Sequence, residues 1–264
     1  TARVHVPASY DPTTRTPVVV NIHGRTQTGL QQASLSHAIA KSDAVGFILV
    51  HPESATSPTS WNSGTCCDPA TTSNVDDVGF ITALLAELDA KLCVDPDRVY
   101  AMGMSTGAYM SHTVACTLAD RFAAIGPVAG LLLESPCNPT RPVPVMMVNG
   151  TADSLSQYQY VGQGVNFWTG HNQCTTEMQT YQNGDATCVT HGGCSGFAVG
   201  TQFPGCGGAP TSALLQLSTR LTPPVYPLAG AGLGLNPPCF SPWVRPPTPD
   251  GRPAPAPICS STAR

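Results

Sequence analysis

The feature that most restricts the fold of this chain is the alternation of short apolar runs with helical patterns over residues 1–194. A continuous apolar run such as Pro17–Ile22 predicts a buried parallel strand, and apolar residues spaced three and four apart predict an amphipathic helix. Strands that alternate with helices favour an α/β fold, a mostly parallel sheet with helices on both faces. The predicted strands are residues 17–22, 46–50, 98–102, 122–128 and 143–148; the predicted helices are residues 30–42, a long helix that Asn74 could cap, a helix opening after Ser105, and residues 161–174.

The composition changes after about residue 200. Residues 201–264 hold more than half of the chain's 26 prolines, one acidic residue, Asp250, and neither lysine nor histidine. Proline has no backbone N–H and disrupts the interior of helices and strands, so this segment predicts an irregular, Pro-rich tail. A natural Pro-rich linker and translation out of frame from a GC-rich gene both account for it. We therefore divide the chain into a folded domain, residues 1–200, whose C-terminal strand is missing or altered, and a tail, residues 201–264.

Charge and cysteine content narrow the class of protein. Charged residues make up 11% of the chain, against about 25% in typical soluble proteins, and the net charge is −4 without a cluster of lysine and arginine. Nucleic acid and membranes are therefore not expected as partners, and no apolar run reaches the roughly 18–20 residues of a membrane span. Eleven cysteines without a C-x-x-C pair predict disulfides in a secreted, extracellular chain rather than a zinc site, and neither a metal nor a cofactor is expected.

A candidate nucleophile follows the third predicted strand. The motif G-M-S-T-G at Gly103–Gly107 comes directly after residues 98–102 and opens a helix. A serine between two glycines in a strand–turn–helix connection lies in a sharp, exposed turn, the nucleophile elbow. A serine hydroxyl becomes an effective nucleophile when a neighbouring base takes its proton. The motif therefore predicts Ser105 as a catalytic nucleophile, against the alternative of a turn that merely contains serine.

The partners of this serine are sought at the carboxyl ends of other strands, where the active sites of parallel sheets lie. Asp153 comes just past residues 143–148 and is predicted as the acid of a catalytic triad, with a turn-forming or helix-capping role as the alternative. An oxyanion hole needs two backbone N–H groups. We expect them from Thr106, next to the nucleophile, and from Arg25, in the loop after the first predicted strand. His23, which begins that loop, is expected to be structural.

Further motifs accompany the serine motif: W-N-S-G-T-C-C at Trp61–Cys67, D-D-V-G-F-I at Asp76–Ile81, His23-Gly24, Gly103–Met110 and Gly150–Asp153. Over roughly residues 1–194 this set resembles the secreted polyhydroxybutyrate depolymerase and feruloyl esterase family. The resemblance implies an α/β-hydrolase fold and a carboxylic ester hydrolase. Its substrates are then feruloyl or acetyl esters of plant cell-wall polysaccharide, or a short-chain polyester such as polyhydroxybutyrate. The resemblance also implies a substrate contact for Trp61 and a rim loop, carrying a disulfide, that contains Cys66 and Cys67.

The chain departs from that family at the catalytic histidine. Family members carry it in a Gly-rich G-G-G-H-x-W-P-G stretch after the last strand, and this sequence has no such stretch. The last histidine is His191, which could follow a strand at residues 186–190, but in the family's register that segment precedes the strand leading to the base. His191 is therefore a weak candidate, while His112 and His171 are expected at packed or surface positions of helices. The abrupt end of the resemblance near Cys194 favours an altered C-terminus.

Two functions follow from the sequence. The first is a secreted serine esterase that forms an acyl-enzyme through Ser105 and Asp153, with His191 or an unrecognised base. The second is a catalytically impaired hydrolase-fold protein, or a binding relic, that lacks the triad histidine. Loss of a triad base costs about 10⁶ in turnover, so the two hypotheses predict very different rates.

Overall fold

The computed structural model describes residues 1–183, 186–195 and 198–203. These residues form a nine-stranded sheet in the order β1-β3-β2-β4-β5-β6-β9-β8-β7. Neighbouring strands from β3 to β9 in that order run parallel, whereas β1 at one edge and β8 and β7 at the other pair antiparallel. The strands are β1 Ala2–His5, β2 Thr16–Ile22, β3 Ile48–Pro52, β4 Val94–Met104, β5 Ala124–Val128, β6 Val145–Gly150, β7 Thr176–Asn183, β8 Ala186–Gly192 and β9 Ala198–Phe203.

Both faces of the sheet are covered, because the strands direct alternate side chains into two helical layers. In β2, Val18, Val20 and Ile22 point into the core beneath α3, α4 and α5, while Val19 points into the core on the side of α1 and α2. All four side chains are buried. The predicted α/β fold with helices on both faces is confirmed. The helices are α1 Gly29–Ser36, α2 Ala38–Val45, α3 Asp77–Lys91, α4 Thr106–Thr117 and α5 Val161–His171.

Two helix predictions need correction. The segment predicted as one helix, residues 30–42, forms α1 and α2, because His37 between them has a left-handed conformation with φ 50°. The long helix α3 is capped by Asp76, whose Oδ1 accepts a hydrogen bond from Gly79 N at 2.8 Å, and not by Asn74. Asn74 lies in the preceding turn with φ 49°, a conformation that asparagine tolerates better than most residues.

The strand β9 crosses the predicted domain boundary at residue 200. It pairs in parallel with β6 from Ala198 to Phe203, so the division at residue 200 falls inside a strand of the main sheet. The sequence analysis did not identify β9, whereas the strand it considered at residues 186–190 is present as β8. The rest of the predicted tail, residues 204–264, lies outside the described residues, as does the hypothesis of a changed reading frame.

The predicted disulfides are present. They join Cys66 to Cys67 in the loop before α3, Cys116 near the end of α4 to Cys137 in the segment after β5, and Cys174 after α5 to Cys194 after β8. In the described part of the chain, none of the helices has both the length and the apolar character that a membrane crossing demands.

Candidate active site

Ser105 lies at the sharp turn between β4 and α4. Its backbone has φ 55° and ψ −119°, a strained conformation for a residue with a side chain. Two glycines permit the turn, because a Cβ on Gly107 would overlap the carbonyl oxygen of Ile22 in β2, and a Cβ on Gly103 would overlap the backbone of Gly107. Ser105 N donates to Val128 O at 2.9 Å and so ties the turn to the end of β5. The result is a sharp strand–turn–helix connection with a half-buried serine, the geometry that the sequence motif predicts for a nucleophile elbow.

Two backbone N–H groups flank this serine. Thr106 is the first residue of α4, so its N–H has no acceptor inside the helix and lies at the positive end of the helix dipole. On the other side passes the loop after β2, where a Cβ on Gly24 would lie 3.5 Å from the Ser105 Cβ. Gly24 N donates to Gln27 Oε1 at 2.9 Å, whereas the N–H of the exposed Arg25 has no acceptor among the described residues. Neither N–H group has an acceptor that the structure describes, and their role as oxyanion donors stays a prediction.

His23 is fully buried and holds the loop after β2 in place. Its Nε2 accepts a hydrogen bond from Ser54 N at 3.2 Å, so the ring proton is on Nδ1, which donates to Gly24 O at 2.8 Å. The carbonyl oxygen of His23 accepts from Trp61 Nε1 at 2.9 Å, and the two ring centroids are 4.9 Å apart. Burial lowers the pKa of His23, because the charged ring would lose its hydration. His23 is therefore neutral, with both ring nitrogens occupied.

The structure places Trp61 in the core and not at the rim of the site. Its side chain has no exposed surface, so the expected substrate contact is corrected. The hydrogen bond to His23 satisfies the indole N–H, which allows the whole ring to be buried. Trp61 thus supports the loop that carries Arg25.

Residues 59–67, here called the rim loop, contact both the loop after β2 and the segment after β5. At one end Thr59 Oγ1 donates to Gln27 O at 2.6 Å, next to the predicted oxyanion hole. Further along, Gly64 has φ 68°, and a Cβ there would overlap the carbonyl oxygen of Leu133 in the segment after β5. The rim loop also contains the disulfide between adjacent cysteines. It therefore connects the loop after β2 with the segment after β5.

Asp77 holds the rim loop in place through a hydrogen bond to its backbone. Its Oδ2 accepts a hydrogen bond from Asn62 N at 2.8 Å, and the side chain is almost fully buried at the start of α3. Burial raises the pKa of Asp77 to about 6, against the lowering effect of the bond from Asn62, and the charge of Asp76 raises it further. This carboxylate therefore keeps its proton to a higher pH than an exposed aspartate and loses it near pH 6.

Asp153 lies in the turn after β6 and is 8% exposed. Its Oδ1 accepts hydrogen bonds from Leu155 N at 2.8 Å and from Ser156 N at 2.9 Å. Its Oδ2 has no donor among the described residues, yet the atom is not sealed from solvent. The turn-forming interpretation of Asp153 is therefore confirmed for one oxygen, while its role as the acid of a triad stays a prediction.

A short series of hydrogen bonds links Asp153 to Ser105. Asp153 Oδ1 accepts from Ser156 N, and Ser156 Oγ donates to Ala129 O at 2.7 Å. The residue before Ala129 is Val128, whose carbonyl accepts from Ser105 N at 2.9 Å. The segment after β5 therefore bridges the two turns, and the structure brings the predicted nucleophile and acid to one edge of the sheet.

All seven histidines of the chain lie within the described residues, and six of them are held away from Ser105. His51 in β3 is two strands from β4, roughly 10 Å, and its Nδ1 lies 3.2 Å from Asn21 O. His112 in α4 is fully buried and accepts from Trp168 Nε1 at 3.1 Å, as the prediction of a packed position requires. Burial lowers the pKa of His51 to about 4 and that of His112 to about 3.

Three further histidines also lie away from the site. His5 contacts Asp43, His37 is exposed between α1 and α2, and His171 contacts Arg141 O.

His191 lies at the amino ends of the parallel strands, whereas Ser105 lies at their carboxyl ends. His191 is level with Ala198, the first residue of β9, and Ala198 is level with Val145, the first residue of β6. Ser105 comes after the carboxyl end of β4, a strand parallel to β6, so the length of a strand, about 17 Å, separates the two residues. Its ring lies 3.6 Å from Glu177 Oε2 instead. The structure does not bring His191 to the site.

Sequence reasoning missed the residues that hold the site together. Tyr109 Oη and Ser156 Oγ are 2.9 Å apart, so the turn carrying Asp153 is tied to α4 as well as to the segment after β5. A usable signal was the position of Ser156 three residues after Asp153, the spacing at which an aspartate accepts a backbone hydrogen bond in a turn or cap. Across the part of the chain that the structure describes, no group of histidine, cysteine and acidic side chains could hold a metal ion.

Comparison with known proteins covers the same region. A family model described as esterase PHB depolymerase matches residues 5–159, which include Arg25, Ser105 and Asp153. Feruloyl esterase B of Piromyces equi is 31% identical over 215 residues, 73% of this chain and 39% of that protein. A bifunctional acetylxylan esterase/xylanase of Neocallimastix patriciarum is 26% identical over 222 residues, 81% of this chain and 32% of that protein. This chain therefore spans about a third to two fifths of the length of these relatives.

A solved structure shares the fold. Acetyl xylan esterase from Aspergillus awamori superposes with a TM-score of 0.67 and 20% identity, over 79% of this chain and 88% of that chain. At this level of identity the similarity concerns the fold alone. The family match includes strands β2 to β6, the turn at Ser105 and the turn at Asp153.

Proposed function

This chain belongs to the esterase PHB depolymerase family, and we propose that it is a secreted carboxylic ester hydrolase that forms an acyl-enzyme on Ser105. The proposed substrates are feruloyl or acetyl esters of plant cell-wall polysaccharide, or a short-chain polyester such as polyhydroxybutyrate. The observation that carries this proposal is the strained turn at Ser105, which lies at the start of α4 and beside the loop after β2. Backbone strain of this kind persists where the surrounding structure maintains it for a function.

In the acylation step, Ser105 Oγ attacks the carbonyl carbon of the ester while a base takes the hydroxyl proton. Negative charge develops on the carbonyl oxygen of the tetrahedral intermediate, and the N–H groups of Arg25 and Thr106 stabilise it. The protonated base then gives its proton to the leaving alcohol, and the acyl group remains on Ser105. His23 contributes by holding the Arg25 donor in position through its bonds to Gly24 and Ser54.

In the deacylation step, the base takes a proton from water, and the resulting hydroxide attacks the acyl carbon. The same two N–H groups stabilise the second tetrahedral intermediate, which releases the acid and restores Ser105. Asp153 Oδ2 orients the base and stabilises its protonated form. The turn bonds to Leu155 and Ser156 keep that oxygen in place throughout the cycle.

A second candidate function is that of a hydrolase with strongly reduced turnover, and the positions of the histidines favour it. Among the described residues, which include every histidine of the chain, only His23 adjoins Ser105, and both of its ring nitrogens are occupied. An enzyme with an oxyanion hole but without a triad base keeps about 10³–10⁴ of rate enhancement over water. The two candidates share one site and differ in rate.

The substrate class is supported by the relatives and by the surface beside the acid. The similar proteins are named as a feruloyl esterase and an acetylxylan esterase/xylanase, and the family model as an esterase PHB depolymerase. Leu155, two residues after Asp153, exposes 87% of its surface and offers an apolar contact to an aromatic acyl group or an aliphatic polyester. The disulfides Cys116–Cys137 and Cys174–Cys194 support secretion, because such bonds persist in oxidising compartments.

The test of the proposed function is Ser105→Ala, with hydrolysis of p-nitrophenyl acetate and methyl ferulate as the measurement. We expect the hydrolysis by this variant to fall to the residual rate that the oxyanion hole and substrate binding alone sustain, because alanine cannot accept the acyl group. Mass spectrometry should find an acetyl group on the Ser105 peptide of the wild type only. The matched control is Ser73→Ala, at an exposed serine of the turn before α3. Undiminished hydrolysis by Ser105→Ala would show that the assignment of the nucleophile is wrong.

A further inference from the structure

We propose that the site between Ser105 and Asp153 binds a free heterocyclic base of the imidazole class and uses it as the proton acceptor of the esterase reaction. This inference rests on the proposed function and adds to it a ligand that the chain's own residues do not provide. It predicts an esterase whose rate depends on the concentration of a small molecule.

The first observation concerns the burial and the hydrogen-bond partners of the Asp153 carboxylate. The residue is 8% exposed, and two backbone N–H groups hold one of its oxygens. The other oxygen, Oδ2, has no donor among the described residues, although it is not sealed from solvent. An N–H donor that enters from solvent can therefore bind this oxygen without displacing a protein partner. A neutral imidazole ring has one such N–H and, across the ring, one basic nitrogen.

The second observation is that none of the chain's own histidine side chains is placed to bind Asp153 Oδ2. His23, the one beside Ser105, donates to Gly24 O and accepts from Ser54 N, so it has no free nitrogen. His112 faces Trp168 in the core, and His191 lies at the far edge of the sheet. Each of the seven histidines is placed in the described part of the chain, so none of them competes for Asp153 Oδ2.

The third observation is the mutual position of nucleophile and acid. Ser105 follows β4 and Asp153 follows β6, with the segment after β5 between them. The bonds Ser105 N to Val128 O and Ser156 Oγ to Ala129 O attach both turns to that segment. A ring bound to Asp153 Oδ2 by its N–H therefore lies at the same ends of the parallel strands as Ser105.

The chemistry balances without any further reactant. The basic nitrogen of the bound ring takes the proton from Ser105 Oγ as the new C–O bond forms, and the imidazolium returns the proton to the alkoxide as the ester C–O bond breaks. Water then gives its proton to the ring and its oxygen to the acyl carbon, and the proton passes to Ser105 when the acid leaves. The net reaction converts ester and water into acid and alcohol, and the imidazole is regenerated.

The experiment compares imidazole with 1-methylimidazole as additives in the hydrolysis of methyl ferulate and p-nitrophenyl acetate by the whole chain. Both molecules have a basic ring nitrogen, but 1-methylimidazole has no N–H for Asp153. We expect a saturable increase in rate with imidazole of about tenfold to hundredfold, up to the lower end of the range for general-base catalysis, and a much smaller increase with 1-methylimidazole. The rate of Ser105→Ala at the same additive concentration is subtracted, because imidazoles also attack activated esters in solution.

The second arm of the experiment is Asp153→Asn. The amide oxygen can still accept from Leu155 N and Ser156 N, so the turn is retained, while the amide nitrogen replaces the open Oδ2 acceptor. We expect this variant to respond equally to imidazole and 1-methylimidazole. Its imidazole-dependent rate should be lower than that of the wild type by a factor of about ten or more. The matched control is Asp89→Asn, which alters an exposed carboxylate paired with Arg121, and its imidazole response should equal that of the wild type.

Each other outcome overturns the inference in a distinguishable way. Full hydrolysis without an additive, unchanged by imidazole, shows that the chain supplies its own base and leaves the proposed function intact. Acetylation of Ser105 without any response to imidazole likewise contradicts the inference alone. Equal activation of the wild type by the two additives contradicts a role for Asp153 Oδ2. Neither hydrolysis nor acetylation of Ser105 under any condition contradicts the proposed function, and the inference fails with it.

Discussion

At the scale of single residues, the chemistry of this site depends on which polar groups have partners. The N–H of Arg25 and the Oδ2 of Asp153 have none among the described residues, and both adjoin the turns that form the site. Sequence analysis identified both residues, because each follows a strand whose carboxyl end is predictable. It assigned Trp61 to the substrate rim and missed Ser156. Whether an indole is buried, or a hydroxyl meets a distant carbonyl, depends on segments that are remote along the chain.

His23→Phe tests the positioning of the oxyanion hole. Phenylalanine keeps a ring beside Trp61 but loses the bonds to Gly24 and Ser54, so we expect the acylation rate of Ser105 to fall about tenfold to hundredfold. The effect should appear in kcat more than in KM, because the N–H groups act on the transition state.

His23→Asn should recover part of that loss, since its amide N–H replaces Nδ1–H as a donor to Gly24 O. The control is His37→Asn, at an exposed residue with a left-handed backbone that asparagine adopts readily. Equal acylation rates in His23→Phe and the wild type would contradict the positioning role.

Asp77→Asn tests the anchor of the rim loop through its pH dependence. Because the folded-state pKa of Asp77 is raised to about 6 from 3.8, the folded chain keeps a proton that the unfolded chain releases between about pH 4 and 6. The contribution of Asp77 to the free energy of unfolding is therefore highest below pH 4 and decreases as the pH rises to 6. Asparagine has no charge to desolvate and can still accept from Asn62 N.

We expect Asp77→Asn to match the wild type in melting temperature near pH 4 and to exceed it at pH 7–8, by about 2–3 kcal/mol in the free energy of unfolding. Thermal unfolding followed by circular dichroism at a series of pH values measures this difference. Asp89→Asn, at an exposed carboxylate, should show no such crossover. A constant offset at every pH would contradict a raised pKa.

At the scale of elements, adjacency in the sheet brings the site together. β4 and β6 both lie next to β5, so the turns that follow them meet above the segment after β5, and that segment hydrogen-bonds to both. Sequence analysis predicted all three strands, since each is a short apolar run. It did not predict β9, which ends beside Gly150 at the same edge of the sheet. A six-residue strand inside a segment of changed composition has too weak a pattern for recognition from sequence alone.

The disulfide Cys116–Cys137 joins α4 to the segment that bridges Ser105 and Asp153. The cysteines are 21 residues apart, and the loss of loop entropy in the unfolded chain corresponds to about 3 kcal/mol of stability. We therefore expect the double variant Cys116→Ala, Cys137→Ala to melt about 6–12 °C lower than the wild type.

The matched control is the double variant Cys66→Ala, Cys67→Ala. This bond joins adjacent residues, so its removal releases little loop entropy and should lower the melting temperature much less. Differential scanning calorimetry under oxidising conditions measures both variants. Similar shifts for the two pairs would contradict the loop-entropy explanation.

At the scale of the whole molecule, the two ends of the parallel strands have different roles. Ser105, Asp153 and the loop after β2 lie at the carboxyl ends, while His191 lies at the amino ends, because β8 runs antiparallel to β9. We therefore expect His191→Ala to leave both the acylation of Ser105 and the imidazole-dependent rate within about twofold of the wild type, because the length of a strand separates the two residues.

The measurement for His191→Ala is hydrolysis of p-nitrophenyl acetate with and without imidazole. His5→Ala, at the edge strand β1, is a comparable control on the other side of the sheet. A loss of activity of about 10² or more in His191→Ala alone would identify His191 as the base and require a different arrangement of the last strands.

The sequence by itself determined the class of fold and the position of the sharp turn at Ser105, and it placed Asp153, Arg25 and Thr106 directly after strands or at the start of a helix, as the proposed acid and oxyanion donors. These depend on local patterns: apolar runs of strand length, glycines that permit a tight turn, and residues placed directly after strands. The tertiary structure alone decided that Trp61 is buried, that Ser156 and the segment after β5 join the two turns, and that His191 lies at the far edge. Those facts depend on strand order and direction, which are set by packing between segments far apart in the chain and leave no local pattern.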